Sequence, residues 1–125
     1  MTADPYNDTV RRCFENPVHA LLPEGDYAGW TSADAAESAK GCRLTLKASV
    51  ADGKIDKLQF SAWGCPFLIA GAEWVCSELE GRKIDALGTV SANDLAARLS
   101  VPATRLGRLL LIEDAAAGLL KKTGV

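Results

Sequence analysis

From Cys42 to Val50 the side chains of Cys42, Leu44, Leu46, Ala48 and Val50 alternate with those of Arg43, Thr45, Lys47 and Ser49. A period of two puts one row in a core and the other in water, so this stretch reads as a half-buried strand. Ala51-Asp52-Gly53 follows, and from Lys54 to Trp63 the residues Leu58, Phe60 and Ala62 again share a face. The two runs form a β-hairpin. A two-residue Asp-Gly loop would set Leu46 against Gln59. A three-residue loop with Gly53 left-handed sets Leu46 against Leu58 and Leu44 against Phe60, keeping apolar opposite apolar. That second register is the expected one. It places Cys42 opposite Ala62 and brings Cys65 near Ser38, Ala39 and Lys40.

The hairpin runs into Trp63-Gly64-Cys65-Pro66 and then an apolar stretch to Glu80. Proline suits the first helical position, whose N–H has no intrahelical partner, so Pro66 starts a helix and puts Cys65 at or beside its N-cap. The unpaired N–H groups there favour negative charge and would stabilise a thiolate. Leu68, Ala72, Val75 and Leu79 make the buried stripe, widened by Ile69 and Cys76, and Gly81 ends the helix. Cys65 and Cys76 would stand ~16 Å apart along its axis, too far to share one metal ion.

Elsewhere the signals are plainer. Asn7 or Asp8 can cap a helix to about Glu15 carrying Val10, Cys13 and Phe14 on one stripe, stopped by Asn16-Pro17. A weak strand pattern spans about Asp26 to Thr31. Ser91 heads a peripheral helix to Leu99, with Asp94 in a capping pattern. Pro102 opens the last helix, with Leu106, Leu109, Leu110, Ala117 and Leu120 as its buried stripe and Lys121 and Lys122 at its negative end. Glu113 and Asp114 are adjacent, point apart, and read as a solvated face.

The chain of 125 residues is expected to form one domain over residues 1–125, an α+β fold with a small antiparallel sheet and helices packed on it. Its net charge of -2, without a run of either sign, gives no footprint for nucleic acid or an anionic membrane. No apolar run is long enough to span a bilayer and no secretory leader is apparent, so a cytoplasmic location is expected. Cys13, Cys42, Cys65 and Cys76 make no C-x-x-C pair and read as thiols in a reducing compartment. No phosphate-binding glycine loop or nucleophile elbow occurs. His19, the single histidine, reads as a surface or hydrogen-bonded loop residue rather than a ligand, and nothing in its spacing demands a couple with Cys65.

Tyr6 to Val10, Phe14-Glu15-Asn16-Pro17, Asp52 to Ile55, W-G-C-P-F-L-I-A at Trp63 to Ala70, Glu80-Gly81-Arg82, and the Val101-Pro102 to Ala115 segment occur in an order that resembles the IscU/NifU-type iron–sulfur cluster assembly scaffolds. The likeness covers nearly the whole chain, and the glycine-cysteine turn into a helix after the hairpin is its most specific part. It implies a SufE/IscU-like fold with about three strands. It also implies assembly of a [2Fe–2S] cluster with sulfur from a cysteine desulfurase, and onward transfer with a chaperone.

Carried over position by position, the family's central cysteine is Cys65. Its first cysteine and following Gly-Asp fall on Ser38, Ala39 and Lys40, and its His-Cys pair in the final helix falls on Gly107 and Arg108. Its chaperone-recognition segment falls on Val101 to Arg105. The resemblance thus implies a scaffold or adaptor, not a turnover enzyme, that holds iron or a cluster through Cys65 with ligands added by a partner or by a second copy in a homodimer. Ser38, Lys40, Cys42, Gly107 and Arg108 are the expected pocket neighbours. Two other readings stand beside it: an activated Cys65 thiol that accepts persulfide sulfur, and a binding module without metal.

Overall fold

The computed structural model describes residues 8–15, 17–22, 25–37 and 41–123. The elements are α1 (Asp8–Glu15), β1 (Thr31–Glu37), β2 (Cys42–Ala51), β3 (Lys54–Trp63), α2 (Pro66–Leu79), α3 (Ala92–Leu99) and α4 (Leu106–Thr123). Short 3-10 turns cover Ile84–Thr89 and Ala103–Arg105. The strands form one antiparallel sheet in the order β1-β2-β3. Helix α4 packs on β1 and β2, while α2 lies between β3 and α1. The expected α+β class, with three strands and helices packed on them, is what the chain adopts.

The hairpin keeps the expected polarity but not the expected register. Asp52 and Gly53 both have positive φ, +54° and +74°. Two left-handed residues in a two-residue loop match the right-handed twist of paired strands. That loop alone would oppose Leu46 to a polar residue. The chain corrects this with a bulge: Val50 faces Ile55, but Ser49 faces Lys57, leaving Asp56 as the extra residue. Leu46 therefore meets Phe60 and Leu44 meets Ala62, each one inward position further along than expected. Arg43 pairs with Trp63, so it is Gly64, not Ala62, that arrives at Cys42.

The first strand also differs. It spans Thr31–Glu37, not Asp26 to Thr31, and is built of small residues. Its inward side chain Ala33 is buried under α4, where a Cβ on Gly118 would stand 3.5 Å from the Cβ of Ala33. Close helix-to-sheet approach selects alanine and glycine here, so the usual β-branched signal is missing.

Helix α2 begins at Pro66 as expected, and Gly81 (φ +88°) turns the chain after it. Ser91 caps α3 by accepting a hydrogen bond from the Asp94 N–H at 3.3 Å. In α4 the buried residues are Leu109, Leu111, Ile112, Ala115, Ala116 and Leu119, whereas Leu110 is 47% exposed and Ala117 is exposed. The run of four large aliphatic residues from Leu109 to Ile112 allows more than one stripe, and packing against β1, β2 and α2 chooses the one through Ile112.

The outer edge of β3 is covered. Leu21 N–H donates to Phe60 O at 2.7 Å, Phe60 N–H to His19 O at 3.0 Å, and Ile55 N–H to Arg82 O at 2.7 Å. The Leu58 N–H donates to the Glu80 carboxylate at 3.0 Å. The edge groups of Ile55 and Phe60 and the Leu58 N–H are thereby occupied and are not open to another strand.

Candidate functional site: the turn from the hairpin into helix α2

Cys65 is the N-cap of α2, in extended conformation (φ −98°, ψ 135°), and its side chain makes no capping hydrogen bond. Its carbonyl accepts the N–H groups of Leu68 at 2.9 Å and Ile69 at 3.2 Å, closing the first turn. No acidic residue lies in that turn, so the thiol stands at the positive end of a fourteen-residue helix. Cys65 is 8% exposed, while Trp63, two residues earlier, is 74% exposed.

Gly64 makes this arrangement possible. Its φ of +119° is open to glycine and strained for other residues. A Cβ on Gly64 would also stand 2.9 Å from the Cys42 Sγ and 3.2 Å from the Cys42 Cα. Cys42 is buried at the start of β2 and pairs across the sheet with Glu37. Of the expected pocket neighbours, Cys42 is thus brought against the turn. Gly107 lies in the first turn of α4, where an added Cβ would meet nothing within 4 Å. Arg108 follows it, partly buried, and its Nε has no hydrogen-bond partner among the described residues. Both belong to the helix that packs on α2, through Leu109 and Ile112 against Gly71. Ser38 and Lys40 lie outside the described residues. Among the described residues no three His, Cys, Asp or Glu side chains gather into a group that could hold a metal ion.

His19 is hydrogen-bonded, as its type suggests, and its partner is Glu73 rather than Cys65. The His19 Nδ1 lies 2.6 Å from Glu73 Oε2, its backbone N–H donates to Glu73 Oε1 at 2.7 Å, and Nε2 lies 3.4 Å from Glu80 Oε1. Ser77 Oγ adds a bond to Glu73 Oε2 at 3.1 Å. Glu73 is buried and was missed by the periodicity argument. The signal that could have found it is an acid between Ala72 and Trp74, within the otherwise apolar run from Phe67 to Cys76. Burial, then the Glu73 and Glu80 charges, push the Cys76 thiol well up. Burial and Glu73 raise Cys13 as well, against a smaller opposing effect of Arg12. Neither thiol is suited to act as a thiolate.

The family model described as the NifU-like N-terminal domain matches residues 5–122. The chain is 29% identical over 112 residues to the iron–sulfur cluster assembly enzyme IscU of Drosophila melanogaster, covering 88% of this chain and 72% of that one. It is 26% identical over 111 residues to the iron–sulfur cluster assembly scaffold protein IscU of Escherichia coli K12, with 88% and 87% covered. A crystal structure of a SUF-system scaffold protein from Fervidobacterium islandicum AW-1 superposes with a TM-score of 0.73 at 12% identity, covering 93% and 96%.

Proposed function

Because this chain belongs to the NifU-like N-terminal domain family, we propose that it is an iron–sulfur cluster assembly scaffold in which Cys65 is the attachment point for iron or a cluster. The observation that carries this reading is the Gly64-Cys65-Pro66 turn. It presents a thiol at a helix N-cap, at the family's central cysteine position, on the side of the sheet where the helices pack. The cluster is cargo here, and the protein serves as an adaptor rather than a turnover enzyme.

A [2Fe–2S] cluster is ordinarily held by four thiolate or imidazole ligands. The described residues do not gather such a set, and Gly107 and Arg108 at the family's His-Cys positions add no ligand. Closed binding by one copy therefore does not fit the described donors. We infer that Cys65 holds its cargo together with ligands from a partner or a second copy of the chain. The partners implied are a cysteine desulfurase as sulfur source and a chaperone. The exposed segment Pro102 to Arg105, at the family's chaperone-recognition position, supports the latter.

Anaerobic reconstitution with ferrous iron and sulfide tests the reading. The expected result is visible charge-transfer absorption, with iron and acid-labile sulfide retained on desalting, that disappears in Cys65→Ser. Absence of bound iron and sulfide from the wild-type protein, alone and with a desulfurase present, would sink it.

A further inference from the structure

The cysteines at the two ends of the hairpin lie on the same side of the sheet, which strand alternation alone does not give. Cys42 faces the core in line with Leu44 and Leu46. On β3, Ala62 packs against the core and Trp63 points out, so an unbroken strand would send Gly64 inward and Cys65 outward. The positive φ of Gly64 breaks that alternation, and Cys65 is buried instead. Gly64 sits directly against Cys42, with 2.9 Å from its would-be Cβ to the Cys42 Sγ. The same Cβ would stand 3.2 Å from the Cys42 Cα; adding a Cα–Cβ bond of about 1.5 Å and the ~3.8 Å between consecutive Cα atoms puts the Cys42–Cys65 Cα separation at no more than about 8.5 Å. A disulfide spans ~4.4–6.8 Å between Cα atoms. Any closure it needs falls on Gly64, the residue type with the widest choice of φ.

Building on the scaffold reading, we propose that Cys42 is the resolving thiol for sulfur carried on Cys65. The substrate class is sulfane sulfur, delivered from a donor protein's cysteine persulfide to form a persulfide on Cys65. The Cys42 sulfur, having lost its proton to solvent, attacks the Cys65 Sγ. A Cys42–Cys65 disulfide bond forms and the bond from Cys65 Sγ to the outer sulfur breaks. The outer sulfur leaves with the electron pair as hydrosulfide. It is reduced by two electrons, and the two cysteine sulfurs are oxidised to the disulfide. A thiol reductant then returns the pair to two thiols by ordinary exchange. Holding the two sulfurs on adjoining backbone gives the internal attack an effective concentration that no dissolved thiol matches. Sulfide is thus set free beside the residue proposed to hold the iron.

The experiment loads the full chain with inorganic polysulfide, removes excess reagent, and follows hydrosulfide release with no added thiol. Disulfide peptides are mapped by mass spectrometry. Wild type is expected to release hydrosulfide in step with a Cys42–Cys65 cross-link. Cys42→Ala is expected to slow release roughly tenfold or more, and Cys65→Ser to abolish the cross-link. Release from Cys42→Ala at the wild-type rate, or wild-type release without the cross-link, overturns the proposal. Should Cys42→Ala not fold, Cys42→Ser replaces it, and the wild-type cross-link decides independently of either. Reconstitution of wild type from ferrous iron and inorganic sulfide bypasses the persulfide. Failure there counts against the scaffold reading and not against the resolving role.

Discussion

His19 and Glu73 stand 54 residues apart in sequence and are joined twice, by the His19 N–H to Oε1 at 2.7 Å and by Nδ1 to Oε2 at 2.6 Å. The carboxylate is buried, and Ser77 provides a further bond. This contact fastens the segment after α1 to α2, and the same segment covers the edge of β3 through Phe60.

Removing the Glu73 carboxylate leaves the His19 N–H, the His19 ring and Ser77 Oγ without their partner, a loss of roughly 1–3 kcal/mol. Glu73→Ala is expected to destabilise the fold by about that amount in urea unfolding. Glu73→Gln keeps hydrogen-bonding capacity and should lose less. Equal stability of Glu73→Ala and wild type would show that the pair does not hold the segment.

Glu73→Gln also has an electrostatic signature. Burial is the larger cause of the raised Cys13 thiol and the Glu73 charge the second. Removing the charge should lower the Cys13 pKa part of the way, read as a shift of its alkylation rate profile to lower pH. A profile that stays in place or moves upward would contradict the assignment of Glu73 as a cause.

Two glycines of the site should respond to alanine with opposite signs. At Gly64, alanine meets a positive φ and a Cβ position 2.9 Å from Cys42 Sγ and 3.2 Å from its Cα. The backbone strain alone costs about 1–3 kcal/mol, and the melting temperature should fall. Gly107 lies in α4 with open space around it, so alanine there should stabilise by about 0.5–1 kcal/mol. A Gly64→Ala protein as stable as wild type would mean that the turn tolerates other geometries.

Sequence patterns made some of this legible and not the rest, for identifiable reasons. The hairpin, the Pro66 helix start and the place of Cys65 depend on residues next to one another, where alternation, proline and glycine act directly. The register depends on a bulge at Asp56, and nothing in Asp56 itself announces it. Strand β1 is written in alanine because α4 lies so close, and alanine favours no strand. Cys42 at Gly64 followed from the corrected register. Glu73 makes sense only once His19 is folded onto it.

The close approach of α4 to β1 gives a further prediction. Ala33 is buried against Gly118, where an added Cβ would already be in van der Waals contact with it, so the longer side chain of Ala33→Leu should overpack that contact and destabilise by about 1–3 kcal/mol. Chemical denaturation measures it. A neutral or stabilising effect would indicate a gap between helix and strand.

Cys76 predicts an alkaline weakness. Its thiol is held well above the ordinary 9.0, by burial first and then by Glu73 and Glu80. At neutral pH both folded and unfolded chains keep this proton, and the group adds no pH dependence. As pH rises past the ordinary value, the unfolded chain releases a proton that the folded chain retains. The unfolded state then binds fewer protons, so stability falls, by at most ~1.4 kcal/mol per pH unit for this one group. Cys13, raised in the same direction, adds to the slope. Cys76→Ala removes the Cys76 part while keeping the rest. Its stability deficit relative to wild type, measured by urea unfolding, should therefore narrow between pH 8 and pH 10.5. A deficit that stays constant across that range would mean that Cys76 titrates alike in the folded and unfolded chains.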